Sequence, residues 1–319
     1  MIITITVNPS VDRLYSVNKF QPGKLNRVET IKKMVGGKGI NAARVASILG
    51  TLTYASGFLG GENGEFVLHS ARREQFVPDF IQVNGETRNC YTIIEKNGNK
   101  TEINETGFLI TPKNMYVLRS RLHALLNTTD VSSISINGSL ATGMPTDSYV
   151  DLIKFIHAID SKIKIILDTS GNSLKDVVSS SQFPDFIKPN EHELAEILDK
   201  PVTTDPLTLM KNINNSDLKK IPNIFVSLGE NGGFVKHYSQ FYTVKIPKIH
   251  AVNTEGSGDA TVGGILNALD RHSNFIEIMK SAMAAGTANA METKTGYIHR
   301  QNFQNIKNQI QINEILATV

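Results

Sequence analysis

Between residues 130 and 250 the chain returns repeatedly to one pattern: a short run rich in Ile and Val, then a stretch with helical periodicity. Residues 132–136 read as a short strand and 163–167 as a buried one, with a helix over 146–159 between them. Strands at 185–187 and 224–227 flank a helix at 191–198. A hairpin over 234–246 follows, then one helix from 258 and another over 275–290. Strands apolar along their whole length need cover on both faces, and strands separated by helices pair in parallel. The expected fold class is therefore α/β, a three-layer α/β/α sandwich around a mostly parallel central sheet. With 319 residues, 40% of them hydrophobic, the chain can bury one large core, and a single domain over 1–319 is expected.

The first third breaks this rhythm. Residues 12–32 and 88–104 look like short strands with polar turns, and Asn97-Gly98 between two of them is a hairpin signal. These insertions are separated by expected helices at 39–49 and 64–76. Paired in space, they would form a small β-sheet lid over the mouth of the main domain. The free face of that lid is the expected homodimer surface.

A net charge of +3 is far from the dense basic patches of nucleic-acid binders, so no nucleic-acid partner is expected. Cys90 is the single cysteine, which excludes a disulfide framework and a thiolate metal site. His192, His237 and His250 lack metal-ligand spacing. No apolar run is long enough to span a bilayer. The chain enters its first strand without a charged-then-apolar leader, so the expected location is cytoplasmic and no membrane partner is foreseen.

The richest segment is 253–264, Asn-Thr-Glu-Gly-Ser-Gly-Asp-Ala-Thr-Val-Gly-Gly. Gly256, Ser257 and Gly258 form a turn that opens a helix, carried on by Val262, Ile265, Leu266 and Leu269. Unpaired N–H groups at such a turn, backed by the helix dipole, suit an anion such as a phosphoryl group. Asp259 stands in the same first turn, placed to accept a proton beside that anion.

A second glycine cluster, Gly36-Gly37-Lys38-Gly39-Ile40-Asn41, also opens a helix. It matches neither a Walker A loop nor a dinucleotide fingerprint. Its reading is close backbone approach to a ligand, with Asn41 bonding hydroxyls and Lys38 as a charge partner; a plain helix-capping turn is the alternative. Asp12 follows the first strand, where open α/β sheets bind ligands. Arg27 and Arg88 fall on the expected lid strands and suit phosphate recognition. Lys188-Pro-Asn190 and Glu193 allow two readings, a capping box or a site ordering water around Mg²⁺. The turn from Ser227 through Gly229 to Gly232 can lie against nucleotide phosphates. The small pair Ala285-Gly286 ahead of Asn289 either admits a flat base or packs helices.

Taken together, these motifs resemble the PfkB-type, ribokinase-like carbohydrate kinases along essentially the whole chain. Residues 36–41 are similar to that family's N-terminal signature, Asn190-Glu-His-Glu193 to its Asn-x-x-Glu magnesium motif, and 253–259 to its C-terminal signature. The resemblance implies a ribokinase-like fold and ATP with Mg²⁺ as cofactors, and leaves K⁺ open. It implies Asp259 as catalytic base with Gly256, Ser257 and Gly258 as anion hole. Asp12, Gly36, Gly37, Lys38, Asn41 and Ser139 would then lie on the sugar side, with Arg27 and Arg88 on a sugar phosphate. Lys188, Asn190, Ser227, Gly229, Gly232 and Asn289 would lie on the nucleotide side, and Asn190 and Glu193 would reach Mg²⁺ through water. The implied reaction moves the γ-phosphoryl of ATP to a primary hydroxyl of a ketohexose monophosphate.

Residues 86–91, 236–242 and 295–298 look closer to the branch acting on tagatose 6-phosphate. Residues 8–13, 61–66 and 101–104 look closer to the one acting on fructose 1-phosphate. An unphosphorylated-sugar or nucleoside kinase and a non-catalytic sensor are weaker alternatives. Two departures stand out: Glu255 where the family carries a small or apolar residue, and no proline in the sugar-side loop 139–143.

Overall fold

A computed structural model describes residues 1–316. Fourteen strands are described: β1 Ile2–Thr6, β2 Ser10–Val17, β3 Glu29–Gly36, β4 Thr53–Leu59, β5 Val77–Gln82, β6 Arg88–Glu95, β7 Lys100–Asn104, β8 Ser133–Asn137, β9 Lys164–Asp168, β10 Phe186–Ile187, β11 Asn223–Ser227, β12 Gly233–His237, β13 Gln240–Lys245 and β14 Gln311–Glu314. The α-helices are α1 Lys38–Ile48, α2 Gly61–Ala71, α3 Pro112–Thr128, α4 Ser148–Ile159, α5 Gly171–Ser179, α6 Glu191–Leu198, α7 Pro206–Asn214, α8 Ser257–Asp270, α9 Phe275–Ala290 and α10 Arg300–Lys307.

The central sheet has ten strands in the order β14-β13-β12-β11-β10-β9-β8-β1-β4-β5. It is parallel from β5 to β11 and antiparallel from β11 to β14. Side chains of the central strands feed two cores, one on each face of the sheet. Ile3, Ile5, Ile134, Ile136, Ile165 and Leu167 face one, and Ile2, Ile166, Phe186 and Phe225 face the other. Each such side chain contributes roughly 1.5–3 kcal/mol by burial, and the opposite face of β8, with Ser133, Ser135 and Asn137, is buried as well. The expected α/β class with a parallel sheet covered on both faces is what the structure has.

A separate four-stranded sheet, β3-β2-β6-β7, stands beside the carboxyl ends of the central strands. Its middle pair, β2 and β6, is parallel, and the outer pairs are antiparallel. The Asn97-Gly98 turn closes β6 on β7, with Gly98 at φ +89°. Residues 18–28 connect β2 to β3, and Arg27, expected on a lid strand, lies in this connection. Asn26 holds this stretch as a turn: its side chain accepts from Gln21 N–H and donates to the carbonyls of Gln21 and Lys24. The helix expected over 64–76 runs earlier, as α2, and β5 takes the chain after it.

The buried helices α1, α8 and α9 pack closely through small residues. A Cβ on Gly263 would sit 2.8 Å from the Ala42 carbonyl, and one on Gly264 would sit 2.9 Å from Ala285 Cβ. No helix among the described residues is long and apolar enough to cross a membrane.

Candidate active site

A cleft of about 580 Å³ opens between the carboxyl ends of the central strands and the small sheet. Asp12, Gly37, Lys38, Asn41, Arg88, Ser139, Gly256 and Asp259 all line it. Topology explains the convergence. Asp12 comes from β2, Lys38 and Asn41 from the first turn of α1, and Asp259 from the first turn of α8, whose helix packs on α1.

The turn that starts α8 is held open by Gly256 in the left-handed region, φ +77°. A Cβ there would come within 2.6 Å of Thr295 Cγ2 and 2.8 Å of Gly296 N, so glycine is required twice over. Ser257 N–H turns back to the Thr254 carbonyl at 3.2 Å, and Ala260 N–H begins the helical ladder at Gly256 O, 2.8 Å away. The N–H groups of Gly258 and Asp259 are left free for an anion at the positive helix end.

Asp259 is 9% exposed, and its Oδ2 accepts from Asn41 Nδ2 at 2.9 Å. Burial, reinforced by the neighbouring Asp168 carboxylate, pushes its pKa up to about 6, while Lys38, Asn41 and Lys188 pull the other way. A carboxylate in that range is ionised at neutral pH and basic enough to take a proton.

Asp168 is the group that the motifs did not single out. It ends β9, and in the parallel register Thr6, Asn137 and Asp168 stand side by side. Lys38 Nζ lies 3.1 Å from its Oδ1 and Lys188 Nζ 3.6 Å from the same oxygen. Burial opposes ionisation of Asp168, but Lys188 and Lys38 outweigh it and hold its carboxyl below the usual range. Asp168 in turn raises Lys38. Two ammonium groups thus share one anchoring carboxylate beside Asp259, which leaves positive charge for an incoming anion. A signal was present in the sequence: an aspartate directly after a buried strand, the same position that drew attention to Asp12.

Asp12 Oδ1 accepts from Ser10 Oγ at 2.7 Å, and burial raises its pKa despite that bond. Gly36 lies buried beneath these two side chains, off the cleft wall, where a Cβ would strike Asp12 Oδ1. Arg88 reaches Ser139 Oγ at 3.4 Å across the mouth. Arg27 lies on the exposed 18–28 connection and does not line the cleft, because the Asn26 turn takes its segment out of the sheet.

On the other flank, Asn190 and Glu193 form the capping box of α6. Asn190 Oδ1 accepts from the N–H groups of His192 and Glu193, and Glu193 Oε2 accepts from Asn190 N–H. This occupies the amide oxygen and one carboxylate oxygen. Glu193 Oε1 is left for solvent, so the pair fits a hydrated Mg²⁺ held through water and not a directly ligated one. Ser227 bridges to Asn190 through its backbone, Gly229 is exposed, and Gly232 is buried at φ +84° against the Val244 carbonyl.

Asn289 is fully buried. It donates to Glu255 O at 2.9 Å and Ser257 Oγ at 3.2 Å, and accepts from Tyr297 N–H. It braces the α8 turn from behind, and Gly286 packs against Thr261 and Ser257, so helix packing accounts for the small residue at 286. Glu255 pairs with Lys100 of β7 at 3.2 Å, tying the turn to the small sheet. The proline-free loop 139–143 is held by a bridge between Leu109 and Thr142.

The comparisons with known proteins agree with this geometry. The family model described as pfkB family carbohydrate kinase matches residues 4–300. A curated tagatose-6-phosphate kinase of Staphylococcus epidermidis (strain ATCC 12228 / FDA PCI 1200) is 41% identical over 315 residues, covering 99% of this chain and 100% of the relative. A candidate phosphofructokinase of Staphylococcus aureus superposes with a TM-score of 0.79 at 29% identity, covering 99% of both chains. Phosphofructokinase-2 of Escherichia coli, solved in complex with potassium, shares the fold at TM-score 0.83 and 23% identity, over 97% of this chain and 98% of its own. With the cleft and both glycine turns in the family's order, the chain belongs to the pfkB family of carbohydrate kinases: it is a sugar-phosphate kinase, a phosphotransferase with an alcohol acceptor.

Proposed function

We propose that this kinase transfers the γ-phosphoryl of ATP to the C1 hydroxyl of tagatose 6-phosphate, giving tagatose 1,6-bisphosphate. The observation that carries the reading is the meeting of Asp259, Asn41, Lys38, Asp12 and Arg88 with the α8 N-terminus in one cleft. Arg88, with Lys38, holds the phosphate already on the sugar, and Ser139 stands with Arg88 at the mouth. Asp12 and Asn41 orient the hydroxyls. Asp259 Oδ1, which takes no protein donor, receives the proton as the hydroxyl oxygen attacks the γ-phosphorus and ADP leaves. The free N–H groups of the α8 turn and the Lys188 ammonium stabilise the charge on the transferring group. Mg²⁺ held through water by Asn190 and Glu193 would neutralise the ATP phosphates. K⁺ near the α8 turn is a further ligand to test.

The chain acts as one domain in which the small sheet is a lid formed within 12–32 and 88–104. Leu25, Val28, Ile31 and Ile103 are exposed on or beside that sheet and support a homodimer through it. A cytoplasmic location follows from ATP as donor.

Fructose 1-phosphate is the second reading. Glu102 and Asn104, both on the cleft wall, belong to the stretch that looks closer to that branch. A coupled ADP-release assay across tagatose 6-phosphate, fructose 1-phosphate, fructose 6-phosphate, ribose and adenosine separates these readings. The highest kcat/KM is expected with tagatose 6-phosphate; preference for ribose or adenosine would remove the phosphosugar assignment.

A further inference from the structure

Arg44, on α1 one turn beyond Asn41, is 3% exposed, and its Nε and Nη1 are both engaged. Nε donates to Glu74 Oε1 at 2.9 Å, while Nη1 donates to Asn41 Oδ1 at 2.8 Å and to the carbonyls of Thr295 (3.1 Å) and Gly296 (3.4 Å). A guanidinium has donors only, so the oxygen of the Asn41 amide must face Arg44. The NH₂ end then points the other way, and Asn41 Nδ2 donates to Asp259 Oδ2 at 2.9 Å. The same arginine pins residues 295–296, which press on the Gly256 turn from outside.

We propose that Arg44 is a positioning residue for phosphoryl transfer: it fixes the Asn41 amide so that a donor always faces one oxygen of Asp259 and the other oxygen stays turned to the cleft. This rests on Asp259 being the base.

Without Arg44 the amide can rotate and set its oxygen against the Asp259 carboxylate. An acceptor facing a carboxylate favours the protonated form, so the base is lost at higher pH. The other charged groups around Asp259 are Asp168 from β9, Lys38 from α1 and Lys188 after β10, with Glu193 acting on Lys38. Around Arg44 stand Glu74 with, on that same carboxylate, Lys294, and at longer range Asp12, whose carboxyl Arg44 helps to pull down. Among the groups around Asp259, Arg44 bonds Asn41 alone and none of the charged ones, so substitution at 44 reaches Asp259 through that amide.

The test is the pH profile of kcat for wild type, Arg44→Lys, Arg44→Met, Asn41→Ala and the Asn41→Ala/Arg44→Met double variant, with Asp259→Asn as control. Both arginine variants should move the acid limb up by about half a pH unit or more and lower kcat near pH 6 by roughly 10- to 100-fold. KM for ATP should stay within about threefold of wild type. The double variant should show no shift beyond that of Asn41→Ala.

An unmoved limb in both arginine variants, an additive shift in the double variant, or a shift in Arg44→Met absent from Arg44→Lys would each overturn this role. The last would mean that charge alone matters. If Arg44→Met does not fold, Arg44→Lys decides, since it breaks the same fork while keeping charge. If neither folds, Arg44 is a folding residue and not a positioning one. A wild-type profile with no acid limb, or wild-type turnover by Asp259→Asn, would instead remove the base itself.

Discussion

Gly258 lies directly under Lys188: a Cβ on the glycine would fall 2.9 Å from the lysine Nζ. The absent side chain is what lets a buried ammonium reach the first turn of α8, where Asp168 anchors it from behind. Gly258→Ala is expected to fold, because the displaced atom is the end of a flexible chain, yet to lower kcat by about tenfold or more as the ammonium leaves the anion site. Circular dichroism alongside steady-state kinetics checks both halves; loss of folding together with activity would show the contact to be structural.

Asp259 titrates near pH 6. Activity should therefore fall through a single ionisation as pH drops below that value. The linkage to stability has the opposite sense. A carboxyl with a raised folded pKa stabilises the fold below its unfolded pKa, near 4, and that contribution is lost as pH rises through about 6. Asp259→Asn should thus lose roughly 10²–10⁴ in kcat while showing a higher Tm than wild type at pH 8. The two melting curves should converge below pH 4. A lower Tm for the variant at pH 8 would contradict the buried-charge account.

Arg88 and Arg27 should separate cleanly. Arg88→Ala should raise KM for the phosphorylated sugar by tenfold or more (about 1.5–3 kcal/mol for a charged hydrogen bond) and leave KM for ATP nearly unchanged. Arg27→Ala should leave both within about twofold, since its side chain is exposed off the cleft. A large sugar-side effect at residue 27 would mean that the connection over 18–28 reaches the substrate.

Lys100 and Glu255 form an exposed pair, 49% and 40% accessible, so their bond should stabilise the fold by no more than about 1 kcal/mol. Its effect belongs in binding. Lys100→Ala leaves a bare carboxylate beside the anion turn and should raise KM for ATP at low salt. Glu255→Gln in the same background should restore it. If the second substitution has no effect, the carboxylate does not face the nucleotide.

The sequence made much of the α/β frame readable, because strands such as β9 and β11 are rich in Ile and Val and the helices at 191–198 and 275–290 carry clear period and caps. β14 was hidden: it is an exposed edge strand of mixed polarity, added through pairing with β13. Asp259, Asn41 and Lys38 were visible because glycine turns advertise them. Asp168 and Arg44 were not, since their importance lies in what they touch across more than a hundred residues of chain. Arg27 misled for the converse reason: the Asn26-centred turn that carries it is a local geometry whose residue types also suit a binding strand.

The small sheet enters the chain as two detours, one between β1 and α1 and one between β5 and α3, and it shares no strand with the ten-stranded sheet. Its cleft-facing positions, among them Leu14, Cys90, Thr92, Glu102 and Asn104, can therefore be exchanged without rethreading the main scaffold or moving the residues that handle the nucleotide. Under the proposed function, redesign for a new acceptor should begin at these positions, where side chains change without disturbing the ten-stranded sheet.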